Sequence, residues 1–164
     1  MNLENDLSGD SMKVVYEKEI DASKIVVSPR PVWKCKACPM YGKNPSCPPY
    51  APPWQEAKEW IRNFKRALVI KFEVDYENFE TEKRKALLYL LRKEEELFRN
   101  GNFYAFALFP GNCNLCEECE FQKSKKCVEP TKVRFSLCAV GIEIKSFAKV
   151  NFSESVLYGI ILID

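Results

Sequence analysis

Ala67-Leu68-Val69-Ile70-Lys71-Phe72-Glu73-Val74 is the stretch around which the rest of the chain can be ordered. It opens on a run of apolar residues without alternation, the pattern of a strand covered on both faces. Such a strand needs helices or loops on either side. Upstream, Ala57, Trp60, Ile61 and Phe64 recur at helical spacing and predict a helix starting at Pro53 or Trp54. Downstream, Ala86, Leu87, Leu90, Leu91, Leu97 and Phe98 form the stripe of a long helix. It begins near Asn78 or Phe79 and stops at Asn100-Gly101. Phe103 to Phe109 reads as a second buried strand and Tyr158 to Ile163 as a closing one. Met12 to Ile20 alternates in part and reads as a strand, with Ile25-Val26-Val27 a further candidate. Thr131 to Ala139 reads as a short helix. The skeleton is α/β or α+β, a central β-sheet flanked by helices. Residues 12–164 are expected to form a single domain, behind a polar, flexible tail over residues 1–11.

Composition narrows the function. At 164 residues, 46% of them hydrophobic, the chain can bury a real core and is not a disordered one. Its 25 basic and 23 acidic residues leave a net charge of +2, which asks for neither nucleic acid nor an anionic membrane. The sequence begins Met1-Asn2-Leu3-Glu4-Asn5-Asp6, acidic and without the apolar core of a secretory signal. No apolar run approaches the ~20 residues of a membrane span. The protein is therefore expected in the cytoplasm, where thiols stay reduced and clustered cysteines are more often metal ligands than disulfides.

Seven of the eight cysteines fall into two groups, and the chain has no histidine. Thiolate-only donor sets favour iron–sulfur clusters or tetrahedral zinc. The tighter group is Cys113, Cys116, Cys119 and Cys127, in the tandem pattern C-x2-C-x2-C-x7-C. Three thiols so close can wrap one corner of a 4Fe–4S cluster, with the fourth arriving later. Four cysteines also suit structural zinc, although zinc ribbons usually separate two C-x2-C knuckles. Glu117, Glu118 and Glu120 read as solvated neighbours, and Asn112 and Asn114 as turn formers.

Cys35, Cys38 and Cys47 make the looser group, C-x2-C-x8-C. Three ligands leave an open position at the metal, which a catalytic centre needs. The alternatives are a fourth ligand from elsewhere, Cys138 being the one cysteine left, or no metal at all. Eight of the ten prolines lie between Pro29 and Pro53, so this region is expected to be a loop of about 25 residues. Trp33, Tyr41, Tyr50 and Trp54 within it are expected to be buried or to shield the site.

These motifs resemble the DUF2284 family of predicted metal-binding, cysteine-rich proteins of anaerobic archaea and bacteria. The resemblance lies in Cys35-Lys36-Ala37-Cys38-Pro39-Met40-Tyr41-Gly42-Lys43-Asn44-Pro45-Ser46-Cys47-Pro48-Pro49-Tyr50-Ala51-Pro52 and in Gly111-Asn112-Cys113-Asn114-Leu115-Cys116-Glu117-Glu118-Cys119. It continues through Lys126-Cys127-Val128-Glu129-Pro130 and Gly141-Ile142-Glu143-Ile144. It implies that Cys35, Cys38, Cys47, Cys113, Cys116, Cys119 and Cys127 are the metal ligands. Val140 stands where the family often has cysteine, so Cys138 reads as a small buried hydrophobe.

Three functions compete. The first is an iron–sulfur protein, with one 4Fe–4S cluster or two, passing single electrons to a redox partner. The second is a small enzyme that binds substrate at an open iron of the three-cysteine site. The third is a binding module stapled by zinc. Lys123, Lys125 and Lys126 read as a solvated face, or as a docking patch for an acidic partner. A histidine-based hydrolase is excluded by composition.

Overall fold

The computed structural model describes residues 12–164, so the expectation for the N-terminal tail lies outside the described residues. Strands β1 (Val14–Asp21), β2 (Arg66–Glu73), β3 (Phe106–Leu108) and β4 (Val156–Ile163) form one sheet in the order β1-β2-β4-β3. All three pairings are antiparallel, so the fold is the α+β form of the expectation. The helices are α1 (Pro29–Lys36), α2 (Trp54–Ile61), α3 (Phe79–Arg99) and the single turn α4 (Phe121–Ser124).

β2 is central. Ala67 lies opposite Ile20 of β1, and Val69 opposite Ile160 of β4. Both faces are covered, which explains the unbroken apolar run. On one face Ala67, Val69, Leu108, Ile160 and Leu162 pack against Ala57 and Ile61 of α2 and against Leu137, Val140 and Ile142. On the other, Ile70, Phe72, Ala107 and Ile161 pack against Ala86, Leu87 and Leu90 of α3. The approach of α3 is close. A Cβ on Gly159 would sit 2.6 Å from Leu90 Cδ1, so no side chain fits between helix and sheet there. Among the described residues no helix is long and apolar enough to cross a membrane.

Several expectations need correction. The proline-rich region is not loop throughout, because α1 occupies its start. Ser28 caps the helix by accepting from Arg30 N, and the prolines stand in the first turn, whose amides have no helical partner anyway. Ile25-Val26-Val27 makes only an isolated bridge, Val27 opposite Ile142. The strand expected from Phe103 shrinks to Phe106–Leu108, with Phe103 and Tyr104 exposed. Phe98 lies off the buried stripe and meets Phe103 edge to face. Thr131 to Ala139 is not helical beyond a 3-10 turn at Pro130–Lys132. Its backbone is engaged elsewhere: Phe109 N donates to Phe135 O at 2.8 Å, and Leu137 N donates to Phe109 O at 3.0 Å. Arg134 also forms a bidentate pair with Glu94 of α3, at 2.9 and 2.5 Å, which holds this segment extended.

Candidate metal centres

The cysteine-bearing segments meet beyond the end of β3. Phe109 pairs with Ser136 in a parallel bridge, and Ser136 N then donates to Ser46 O at 3.1 Å. Edge pairing of the sheet thus continues through two loops. Ser46 adjoins Cys47, while Phe109 and Ser136 lie just upstream of Cys113 and Cys138. Three distant parts of the chain are set side by side.

α1 delivers Cys35 at its last turn. Cys38 N donates back to Cys35 O at 3.0 Å, so both cysteines belong to one tight turn. Cys47 O accepts from Tyr50 N and Ala51 N, at 2.9 and 3.1 Å, which curls the chain around it. Cys47 is buried, Cys35 half-buried and Cys38 exposed. Burial first, then the neighbouring Cys138 and Cys38, push the Cys35 thiol up to about 11. Burial, then Cys35 and Cys38, push Cys47 up to about 12, against the opposing pull of Lys83. Cys138 is also raised, by burial and then by Cys38. It is half-buried and shares an electrostatic neighbourhood with the first cysteine group.

The second group hangs from α3. Arg84 Nε donates to Asn114 O at 2.9 Å, and Asn114 Nδ2 donates to Glu80 O at 2.8 Å. Leu115, 5% exposed, anchors the loop in the α3 core. Asn114 thus ties the loop to the helix rather than only shaping a turn. Burial pushes the Cys113 thiol up to about 11; the Leu115 amide, donating to it, acts against this, and Cys127, Cys116 and Cys119 add to it. Cys116 is raised by burial, then by Cys127, Glu129 and Cys119, with Arg84 opposing. Cys113 has the other three thiols of the tandem run among its electrostatic neighbours, and Cys116 has Cys119 and Cys127. The raised Cys113 and Cys116 thiols would have to give up their protons for a metal to bind.

The two groups adjoin. Asn44, wholly buried, donates through Nδ2 to Cys113 O at 2.8 Å and accepts at Oδ1 from Cys113 N at 3.2 Å. Lys125 Nζ donates to Gly42 O at 2.8 Å, and Tyr50 meets Phe121 edge to face at 4.8 Å between centroids. Lys125 lies on the exposed face, as expected of it, and also links the two loops. Lys83 of α3, 3% exposed, donates to Asn112 Oδ1 at 2.7 Å. Burial pulls its pKa down, while Glu80, Cys113, Cys47 and Cys38 hold it up. It is a buried lysine with thiols of both groups among its electrostatic neighbours. Its signal was present in the sequence: it precedes Ala86, Leu87 and Leu90 at helical spacing, a lysine on the apolar stripe. Asn44 had no such signal, since asparagine before proline is an ordinary turn residue.

A family model described as predicted metal-binding protein, DUF2284, matches residues 18–157. The chain belongs to that family. No curated protein and no solved structure matches it. The match contains every cysteine of the chain, and the donor chemistry agrees with the description: thiols only, which suit soft metals and iron–sulfur clusters. An amide bond to sulfur such as that from Leu115 to Cys113 is the kind that orients and tunes a thiolate ligand. Among the described residues of this DUF2284 protein, no three or more His, Cys, Asp or Glu side chains are arranged to hold a metal ion.

Two further features of the DUF2284 chain bear on its chemistry. Trp33, Tyr41 and Tyr50 do not shield the first group from inside: all three are exposed, and Lys36 Nζ lies 3.9 Å above the Trp33 ring. Trp54 alone of the four is partly buried, against the α2 core. A cleft of about 420 Å³ between Asp21–Val27 and α2 is lined by Ile25, Val27, Lys58 and Ile61 and contains no cysteine.

Proposed function

We propose that this protein carries two thiolate-bound iron–sulfur centres side by side and relays single electrons between partner proteins in the reducing cytoplasm. Cys113, Cys116, Cys119 and Cys127 would hold one 4Fe–4S cluster, and Cys35, Cys38 and Cys47 would be ligands of the second. When bound, such clusters supply one-electron chemistry at a potential set by charge, hydrogen bonds to sulfur and solvent exposure. The observation that carries the reading is the Asn44 clamp, which fastens the loop of Cys47 to the backbone of Cys113. Loops so joined would set two such centres side by side, which supports electron exchange between them. Exposure of Cys38, with Cys119 and Cys127 half-buried, favours access for a partner. When protonated, Lys83 would place a positive charge near both groups, and this would favour the reduced, more negative state of either centre.

The test is metal analysis of protein purified without oxygen, with EPR spectroscopy after reduction. About eight irons per chain with matching sulfide, and reduced signals that broaden one another, are expected for two neighbouring clusters. Zinc without iron or sulfide would replace this reading with the zinc-stapled module, for which the same thiols are chemically suited.

A further inference from the structure

We propose that Cys138 is the fourth ligand of the first metal site, closing Cys35, Cys38 and Cys47 into a second four-thiolate set. The inference rests on the reading that the first group holds a metal, and it decides between an open and a saturated centre.

The placement of Cys138 is built by long-range contacts on both flanks. Upstream, Ser136 is bonded to Ser46, next to Cys47. Downstream, Ser28 N donates to Gly141 O at 2.9 Å and Glu143 N donates to Val26 O at 2.9 Å, which docks the turn on the start of α1, the helix of Cys35. Arg30 of the same helix forks onto the Glu143 carboxylate at 2.8 and 2.6 Å. Gly141 makes this docking possible. Its φ is +84°, and a Cβ there would lie 2.5 Å from Ser28 O, so only glycine allows the two backbones to meet.

Within the turn, Leu137, Ala139 and Val140 are 1%, 3% and 0% exposed, and Cys138 alone is not buried in the core. A cysteine serving as a small hydrophobe would join its neighbours there. Its thiol has Cys38 as an electrostatic neighbour and is itself one for Cys35, and both of those are neighbours of Cys47. The four sulfurs form one connected neighbourhood drawn from three segments. A metal bound there would have all its protein ligands, leaving no position for substrate. Electron transfer, rather than chemistry at an open iron, is the function such a site supports.

The experiment compares iron, zinc and sulfide per chain, and reduced EPR spectra, for wild type, Cys138→Ala, Cys138→Ser, Cys38→Ala and Cys116→Ala, all purified without oxygen. Cys138→Ala and Cys38→Ala are expected to lose the same centre, each dropping metal by about half and removing the same spectral component, while Cys116→Ala removes the other. Wild-type metal content and spectrum in Cys138→Ala, beside a lost centre in Cys38→Ala, would overturn the inference and leave an open three-thiolate site. A single centre lost in Cys116→Ala and untouched in Cys38→Ala would also overturn it, while sparing the tandem cluster. Should Cys138→Ala not fold, Cys138→Ser decides: a shifted spectrum or lost metal supports ligation, and an unchanged spectrum overturns it. The same pattern of losses read in zinc would support Cys138 as ligand even as the iron–sulfur reading failed.

Discussion

Asn44 grips the backbone of Cys113 at both its carbonyl and its amide, while its Oδ1 also accepts from Ser46 N at 3.0 Å. One buried amide therefore satisfies polar groups on both cysteine loops. Asn44→Ala would strand those groups, at about 1–3 kcal/mol for each buried group left without a partner. The expected result is a lower denaturation midpoint together with lower metal content per chain. A variant with unchanged stability and full metal would show that the clamp is dispensable.

Lys83 is expected to set potential more than structure. A unit charge about 10 Å from a centre, at an effective dielectric of about 20, is worth about 1.7 kcal/mol, or roughly 70 mV for one electron. Lys83→Met removes a cation that favours the reduced state, so both potentials should fall by tens of millivolts with metal content retained. Redox titration followed by EPR reads the shift, and potentials that stay put would remove Lys83 from the relay.

The ion pair of Arg30 and Glu143 gives a defined acid response. Hydrogen bonds from Arg30 and Ser28 pull the Glu143 carboxyl down from 4.5 to about 2. A depressed carboxyl stabilises the fold above its unfolded pKa, and that contribution drains away as pH falls through the folded one. Glu143→Gln should therefore lower stability at neutral pH and flatten the stability curve between about 4.5 and about 2 relative to wild type. Parallel curves for the two proteins across that window would contradict the assignment.

The contact of α3 with the sheet at Gly159 is tested by overpacking. Gly159→Ala places a methyl group against Leu90 and should cost about 1–3 kcal/mol. Leu90→Ala alone should cost about 2–5 kcal/mol through the cavity it leaves. Together they should cost less than the sum, because the added methyl partly fills that cavity. Strict additivity in chemical denaturation would mean that the two sites do not touch.

Chelation of the metal should leave the sheet and α3 standing, since both cores consist almost entirely of residues outside the cysteine loops. Far-UV circular dichroism is expected to change little, while brief proteolysis of the stripped protein cuts within residues 35–51 and 111–130. Global unfolding on chelation would instead make the metal part of the folding free energy of the whole chain.

Much of this architecture is legible locally. The apolar run at Leu68–Ile70 announces a strand covered on both faces, and Ala86, Leu87 and Leu90 announce the helix that covers one of them. Local patterns failed where distant backbone intervened. Thr131 to Ala139 has no intrinsic bar to helix, but Phe109 takes its amide and carbonyl groups into an extended pairing. Phe103 and Tyr104 have strand character, yet β3 starts beyond them and leaves them in solvent.

The sequence by itself determined the chemistry of the cysteine groups: clustered thiols in a chain without histidine favour soft metals and iron–sulfur clusters, whatever the fold. It also determined the larger elements, β2, α3 and β4, because hydrophobic period is a property of neighbours along the chain. Only the tertiary structure decided which cysteines are companions. Spacing grouped Cys35 with Cys38 and Cys47 and left Cys138 alone. The pairing of Ser136 with Ser46 and of Gly141 with Ser28 sets the segment of Cys138 beside that of Cys47 and the start of α1. Tertiary structure likewise turned Asn44 and Lys83 inward between the two groups. Such proximity depends on hydrogen bonds between residues far apart in sequence, and no local pattern records them.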